Sequence, residues 1–309
     1  MRDRVKAFAP ATVANVAVGF DILGHSVEAV GDSVIATRTD APGVTISSIT
    51  GVVTGLPLDA ERNSAGKAVM ALWDLAGAEG GVALEIEKGI PLSSGMGGSA
   101  ASAVAAVVAA NGLLETPLDK IELLRCAMAG EQVASGSVHV DNISPSLFGG
   151  LVLTVGVDNP IIKQIPVPPA IRCVLVRPHM ELATREARKI LDGNVGMSDF
   201  IWQSANLAGF IAACYSNDLE LMREALQDVV VERQRETLIP GFRTVREAAL
   251  EAGAIGCSIS GAGPTIFAWC EEPQAEAIKA AMVAGFASKG FESDSWISTI
   301  GPVGAHIVD

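Results

Sequence analysis

The sequence predicts a two-domain protein of mixed strands and helices. Three observations point there. The chain has 309 residues, twice the roughly 150 residues of a typical domain. Strand-like and helix-like periodicities alternate along it. The segment Ile165-Pro-Val-Pro-Pro-Ala170 breaks all patterning, as extended, proline-rich backbone between domains does. The expected division is 1–165 and 166–309. Hydrophobic residues make up 49% and charged residues 18%, which fills a large core and excludes global disorder.

Val34–Arg38 and Val82–Lys88 read as strands. In the second, Val82, Leu84 and Ile86 alternate with Ala83, Glu85 and Glu87. Asn63 and Ser64 can cap a helix that runs to about Leu75. Lys88-Gly-Ile-Pro91 ends a strand, a Gly/Ser loop follows, and an Ala/Val-rich helix runs to about Leu114. No charge occurs from Gly89 to Leu114, but the apolar part begins only near Ala100. A membrane span needs roughly 20 apolar residues, so a buried helix fits better. Thr116 as N-cap, Pro117 in the first turn and Asp119 at N3 start the next helix, which reaches Gly130 or beyond. Leu151–Val155 is a strand. Past the proline break come a strand at Cys173–Val176 and helices near 185–192, 199–214, 218–231 and 243–252. Strands near 256–260 and 265–270, a helix near 274–287 and a strand near 294–299 complete the chain.

The formal net charge is −13, which argues against a nucleic-acid binder, since those carry a basic surface. An acidic chain binds anions through local devices such as helix N-termini or small arginine clusters. The cysteines Cys126, Cys173, Cys214, Cys257 and Cys270 are odd in number, lack a CxxC spacing and have apolar neighbours. They read as reduced, buried thiols of a cytoplasmic protein rather than a metal site. Pro10, Thr12, Asn15 and Asp21 interrupt the N-terminal apolar stretch, so a signal peptide is not expected.

The strongest chemical signal is the loop Pro91, Leu92, Ser93, Ser94, Gly95, Met96, Gly97, Gly98, Ser99, Ala100 and Ala101. Its glycines let backbone approach a ligand closely. It opens directly into a helix, so free N–H groups and the positive dipole end converge on one spot and can cradle phosphate without lysine. Without ligand the same residues would form a tight strand-to-helix turn. No Gly-Lys-Ser/Thr follows, so it is not a Walker A loop. Ala100 stands where a dinucleotide fingerprint has its third glycine. A second glycine segment, Ser258-Ile-Ser-Gly-Ala-Gly-Pro-Thr265, precedes a strand and reads as a hairpin turn whose backbone can approach the ligand.

These two segments and Ala9-Pro-Ala-Thr-Val-Ala-Asn15 through Gly19-Phe-Asp21 occur in an order that resembles the three motifs of a small-molecule kinase superfamily. It includes galactokinase, homoserine kinase, mevalonate kinase and phosphomevalonate kinase. The Pro-Ala-Thr…Ala-Asn…Gly-Phe-Asp form of the first motif is similar to the homoserine kinase branch. The resemblance implies an α+β fold. Its N-terminal domain is like the second domain of ribosomal protein S5, with a left-handed βαβ unit, and its C-terminal domain is ferredoxin-like. It also implies ATP and Mg2+ as cofactors.

Residue by residue, the resemblance places residues 91–101 around the ATP phosphates, Ser99 and Glu131 on magnesium, and Asn63 at the adenine pocket. Magnesium accepts such a sparse set because it prefers hard oxygens and keeps its waters. Asn15 and Asp21 match residues near the amino group and reacting end of an L-homoserine substrate. His139-Val-Asp-Asn142 matches a His-x-Asp-Asn segment, with Asn142 nearest the reacting hydroxyl. Thr184, Arg188 and Arg235 match carboxylate-binding residues, with Gly261 beside them. Arginine suits a planar carboxylate through bidentate bonds, whereas Arg185 and Arg233 read as solvated helix charges.

Two departures stand out. Gly98 replaces the usual loop serine, and Met96 the usual leucine. Asn142 and Thr12 occupy the positions where other branches carry a carboxylate base and a lysine, so no general base is assigned. A loose phosphoryl transition state tolerates that. The resulting expectation is ATP-dependent phosphorylation of L-homoserine to O-phospho-L-homoserine, on the route to threonine. No nucleic-acid or membrane partner is expected, and the oligomeric state is left open, with a homodimer as one candidate. The rivals are another kinase of the superfamily, a non-catalytic RNA- or nucleotide-binding module, and a flavin or nicotinamide binder.

Overall fold

The computed structural model describes residues 2–135, 139–156 and 158–308. The chain opens with three strands, β1 (Arg4–Ala14), β2 (Leu23–Thr39) and β3 (Gly43–Gly51). Helix α1 (Ser64–Ala76), strand β4 (Gly81–Lys88) and helices α2 (Gly98–Asn111), α3 (Lys120–Ser135) and α4 (Val140–Phe148) follow. Two short strands, β5 (Leu151–Val155) and β6 (Ile161–Ile165), close this half. They form one sheet in the order β11-β1-β2-β4-β3, extended by β5 and β6 along β2, where β11 is His306–Val308. β3 and β4 pair in parallel across α1, making a βαβ unit; the other pairings are antiparallel.

The second half begins with β7 (Ile171–Pro178) and α5 (Thr184–Lys189). Helices α6 (Met197–Ser216), α7 (Leu219–Ala225), α8 (Glu232–Arg235) and α9 (Phe242–Glu251) come next. Strands β8 (Gly256–Ile259) and β9 (Ile266–Glu271), helix α10 (Ala275–Ala287) and strand β10 (Ser293–Thr299) complete it. The sheet order β10-β7-β9-β8, all antiparallel, is that of a ferredoxin-like β-α-β-β-α-β unit. The molecule is thus α+β. Sheet membership changes between Ile165 and Ile171, and β11 returns to the first sheet.

Helix α2 explains how the site is held. Its Ala/Val sequence leaves Ala100–Val107 buried on every face, so it lies inside the first domain against β1, β2, α1 and α3. Small side chains permit that close approach. The two sheets meet around fully buried Trp269 of β9, which packs 5.3 Å from Phe210 and donates Nε1–H to His25 Nε2 at 3.1 Å. His25 Nδ1 bonds Ser26 O at 2.9 Å, and burial lowers its pKa to about 4, so the ring is neutral. All five cysteines are free and buried. Among the described residues no helix is long and apolar enough to cross a membrane.

Several expectations need correction. The N-cap of α3 is Asp119, not Thr116: its Oδ1 accepts from Ile121 N and Glu122 N, and Glu122 Oε2 accepts from Asp119 N. This reciprocal pair satisfies more helix-end donors than Thr116 could. The helix expected over 218–231 stops at Ala225. Asp228 carboxylate oxygens accept from Val230, Val231 and Glu232 N–H groups, starting α8 instead. β1, β3, β6, β11 and α4 carried no clear periodicity; in β1 the residues from Phe8 to Ala14 are nearly all buried, so alternation is lost there.

Candidate active site

After β1 the chain turns through Asn15, Val16 and Ala17 at φ 69°, 44° and 57°, with Asp21 at 62°. Consecutive left-handed residues, one of them β-branched, are strained and persist only where surroundings fix them. Asn15 does that: Oδ1 accepts from Asp21 N at 3.0 Å and Nδ2 donates to Gly261 O at 3.0 Å. Gly261 N returns a bond to Ala14 O. The first and third glycine-bearing segments are therefore stitched together, and the Asn15 amide serves that seam.

The third segment also braces the phosphate-loop candidate. Ser260 Oγ donates to Gly95 O at 2.8 Å, and Thr265 Oγ1 to Ser94 O at 2.7 Å. A Cβ on Gly95, at φ 77°, would lie 2.5 Å from Ser260 O and 2.6 Å from Gly263 O. Its hairpin turn thus backs the loop, and the Gly261 carbonyl is taken by Asn15 and by Arg235 Nη1 at 3.0 Å.

The loop enters α2 through Gly97 at φ 68°, with no side chain capping the helix, so its first N–H groups face the loop mouth. Beneath it lies a cluster that sequence reasoning missed. Asp32, fully buried, accepts from Gly89 N at 3.0 Å, Ile90 N at 3.1 Å, Ser102 Oγ at 2.7 Å and Lys88 Nζ. Lys88 Nζ also donates to Gly98 O and Ser102 Oγ, both at 2.8 Å. This charge pair ties the loop's entry to its exit. Its sequence signals are Ser102, a hydroxyl within an Ala/Val-rich helix, and Lys88, a charge at the end of a strand.

Glu131 of α3 is 3% exposed, and His139 Nδ1 lies 3.0 Å from its Oε1. His139, a substrate-binding candidate, is thus paired with the metal-ligand candidate. Ser64 Oγ donates to Ser99 O at 3.3 Å, joining the starts of α1 and α2. Asn63 caps α1: Oδ1 accepts from Ala65 N at 3.0 Å and Nδ2 donates to Pro57 O at 2.9 Å. No group of three or more His, Cys, Asp or Glu placed to hold a metal ion by themselves occurs among the described residues. One carboxylate and one hydroxyl are a hard-oxygen set that fits a cation taking most of its ligands from phosphate and water.

On the other side of the loop sit the amino-acid candidates. Arg188 Nη1 and Nη2 donate to Asp21 Oδ2 and Oδ1 at 3.0 and 2.6 Å. The bond to Asp21 raises the Arg188 pKa further. Thr184 lies one turn earlier on α5, on the same helix face. Arg235 is 2% exposed; Nε donates to Ala187 O and Nη1 to Gly261 O, each at 3.0 Å, which aims the guanidinium. Burial, then the Arg188 charge, lowers its pKa. The Phe20 ring lies under both guanidiniums, 5.6 Å from Arg188 Cζ and 5.2 Å from Arg235 Cζ. Asp141, which sequence reasoning passed over inside its own motif, is buried beside them. Burial first, then Asp21, pushes its pKa up to about 7, against the pull of His139 and Arg188. Asn142, next to it, accepts a bond from Thr12 Oγ1 at 2.7 Å. Arg233 pairs with Asp199 at the surface and Arg185 is exposed, as solvated helix charges.

Residues 63–150 match the GHMP kinases N terminal domain and residues 210–288 the GHMP kinases C terminal domain. A homoserine kinase of Xanthomonas campestris pv. campestris is 49% identical over 306 residues, covering 98% of this chain and 94% of that one. A homoserine kinase of Chlorobium phaeovibrioides is 44% identical over 317 residues, covering 98% and 99%. The crystal structure of homoserine kinase from Cytophaga hutchinsonii superposes with a TM-score of 0.96 at 43% identity, covering 100% of this chain and 98% of that one.

Proposed function

The chain belongs to the homoserine kinases of the GHMP kinase family, and from that membership we propose that it transfers the γ-phosphoryl group of ATP to the side-chain hydroxyl of L-homoserine. The observation that carries the reading is the opposed pair Arg188–Asp21 with Arg235 beside it. An α-amino acid is a zwitterion, and these groups offer a cation for its carboxylate and an anion for its ammonium. Substrate binding exchanges one bidentate ion pair for two, so little charge is left uncompensated. Phe20 holds both guanidiniums in one layer, and Thr184 adds a hydroxyl on the carboxylate side.

The backbone of residues 91–101 and the α2 N-terminus bind the ATP phosphates. Ser99 and Glu131 would hold Mg2+, with His139 orienting the carboxylate. When bound, the cation neutralises charge on the β- and γ-phosphates. The homoserine hydroxyl oxygen attacks the γ-phosphorus, and the bond to the β–γ bridging oxygen breaks with its electrons passing to ADP. The hydroxyl proton passes to a phosphoryl oxygen, and from there to water, as the new P–O bond forms. Neither Asn142 nor Thr12 can take it as a carboxylate would, so the chain contributes position and hydrogen bonds rather than a strong base.

The proposed setting is cytoplasmic, supported by five free, buried thiols. A homodimer is the proposed assembly, supported by the exposed apolar side chains Met197, Ile201, Trp202 and Tyr215 of α6. The test of function is ADP release, coupled to product mass, with homoserine, mevalonate, shikimate and galactose in parallel. Homoserine alone should give magnesium-dependent turnover and a phosphomonoester product. Turnover with another of these alcohols and none with homoserine would overturn the reading.

A further inference from the structure

Thr12 has no solvent exposure, yet both of its polar groups reach the site. Its backbone N–H donates to Met96 O in the phosphate loop at 3.1 Å. Its hydroxyl donates to Asn142 Oδ1 on α4 at 2.7 Å. One residue of β1 therefore bonds the ATP side and the homoserine side at once. The hydroxyl–amide pair lies directly against the N-cap of α2. A Cβ on Gly97 would run into Thr12 Oγ1 and lie 2.7 Å from Asn142 Oδ1.

The neighbours of Asn142 agree on which way its amide faces. The Thr12 hydroxyl proton needs an acceptor, and Oδ1 is the accepting end of the amide. Nδ2 then turns toward Asp141 Oδ1, 3.5 Å away. The reverse orientation would put the amide NH2 against the Thr12 hydroxyl and take away the acceptor of that hydroxyl's own proton. We infer that Thr12 is a positioning residue for phosphoryl transfer: it holds the Asn142 amide so that a donor, and not an acceptor, faces the reacting hydroxyl and the incoming phosphoryl group. A donor there can grip the nucleophilic oxygen through a lone pair or steady the phosphoryl oxygens, and it cannot remove a proton. The same contact sets the distance between the loop and Asn142, because the Thr12 backbone carries Met96.

The inference rests on the kinase reading, and the experiment separates the two. Steady-state homoserine-dependent ADP release is measured for wild type, Thr12→Val, Thr12→Ser, Asn142→Ala and the Thr12→Val/Asn142→Ala double variant, with melting temperatures recorded for each. Thr12→Val keeps the shape and deletes the hydroxyl. Its kcat should fall about 10- to 100-fold, the range a small misplacement of reacting groups costs, with both KM values within about threefold of wild type. Thr12→Ser should recover most of that loss whatever its stability. In the Asn142→Ala background, Thr12→Val should cost almost nothing more, because its effect runs through the amide. If the two losses multiply, or if Thr12→Ser is as slow as Thr12→Val, Thr12 does not act by orienting Asn142. A wild-type protein inert toward homoserine would instead overturn the kinase reading itself.

Discussion

Arg188 and Asp21 hold each other through two hydrogen bonds, Nη1 to Oδ2 at 3.0 Å and Nη2 to Oδ1 at 2.6 Å. In the proposed binding mode each is the counter-ion that the other exchanges for one end of the substrate. Removing either leaves its former partner free to swing or to bind a stray ion. The pair is about a third exposed, so solvent screens part of its strength.

Asp21→Asn should therefore raise KM for homoserine roughly tenfold, the lower end of what a charge-assisted contact supplies, while KM for ATP stays near wild type. Initial-rate measurements varying each substrate separately check this. An equal rise in both KM values would mean that Asp21 shapes the whole site and does not meet the ammonium.

Asp141 gives a pH signature. Folded, it keeps its proton to about pH 7, whereas the unfolded carboxyl releases it near 3.8. A raised folded pKa means that the folded state binds the extra proton between those values. This group's contribution is full below about pH 4. It is lost as pH rises toward and through 7. Asp141→Asn removes that loss, so its melting temperature should exceed wild type at pH 8 and approach it at pH 4–5. Thermal melts across that window are the measurement, and a constant offset at every pH would contradict the burial argument. In the wild type, homoserine affinity should rise as pH passes 7, since an ionised Asp141 favours the ammonium nearby.

Ser99→Ala and Glu131→Gln should each shift the magnesium concentration for half-maximal rate upward, by about tenfold or more, as loss of one charged or hydroxyl contact implies. His139→Ala should produce a smaller shift in the same direction, because it touches Glu131 at 3.0 Å and works through it. Magnesium titrations at saturating ATP decide this. Unchanged curves for both Ser99→Ala and Glu131→Gln would remove them from the cation.

Gly97→Val should melt below wild type and lose nearly all activity. Position 97 needs positive φ, and a side chain there meets Thr12 and Asn142 from the protein side before any nucleotide arrives. Circular dichroism and ATP titration separate folding from binding; normal ATP affinity in a folded variant would contradict the cradle.

The gross plan was legible because its signals are local. The Gly-rich loop, the Asn63 cap and the Val82–Lys88 alternation each follow from a few adjacent residues. Trp269 against His25, Asp32 against Lys88, and Thr12 against Asn142 are separated by long stretches of chain, and nothing local marks them. α7 shows the same limit in miniature: the helical pattern continues past Ala225, but the Asp228 carboxylate captures three N–H groups and ends it. In the site, the sequence matches residues to substrate groups, whereas the folded chain also pairs those residues with one another: Arg188 with Asp21, His139 with Glu131, Asn15 with Gly261. Pairing needs three dimensions, and no spacing rule in the sequence supplies it.

The proposed carboxylate site, Arg188 with Arg235, is tested by changing enzyme and substrate together. Homoserine and 3-aminopropan-1-ol differ by that carboxylate. For wild type, its removal should cost about 100-fold or more in kcat/KM, since an unpaired buried charge costs about 2–5 kcal/mol. In Arg235→Leu the same removal should cost less than about tenfold, and Arg235→Lys should fall between, because an ammonium lacks the bidentate fork. If the carboxylate is worth the same factor in wild type and in Arg235→Leu, Arg235 does not contact it, and this account of the site is wrong.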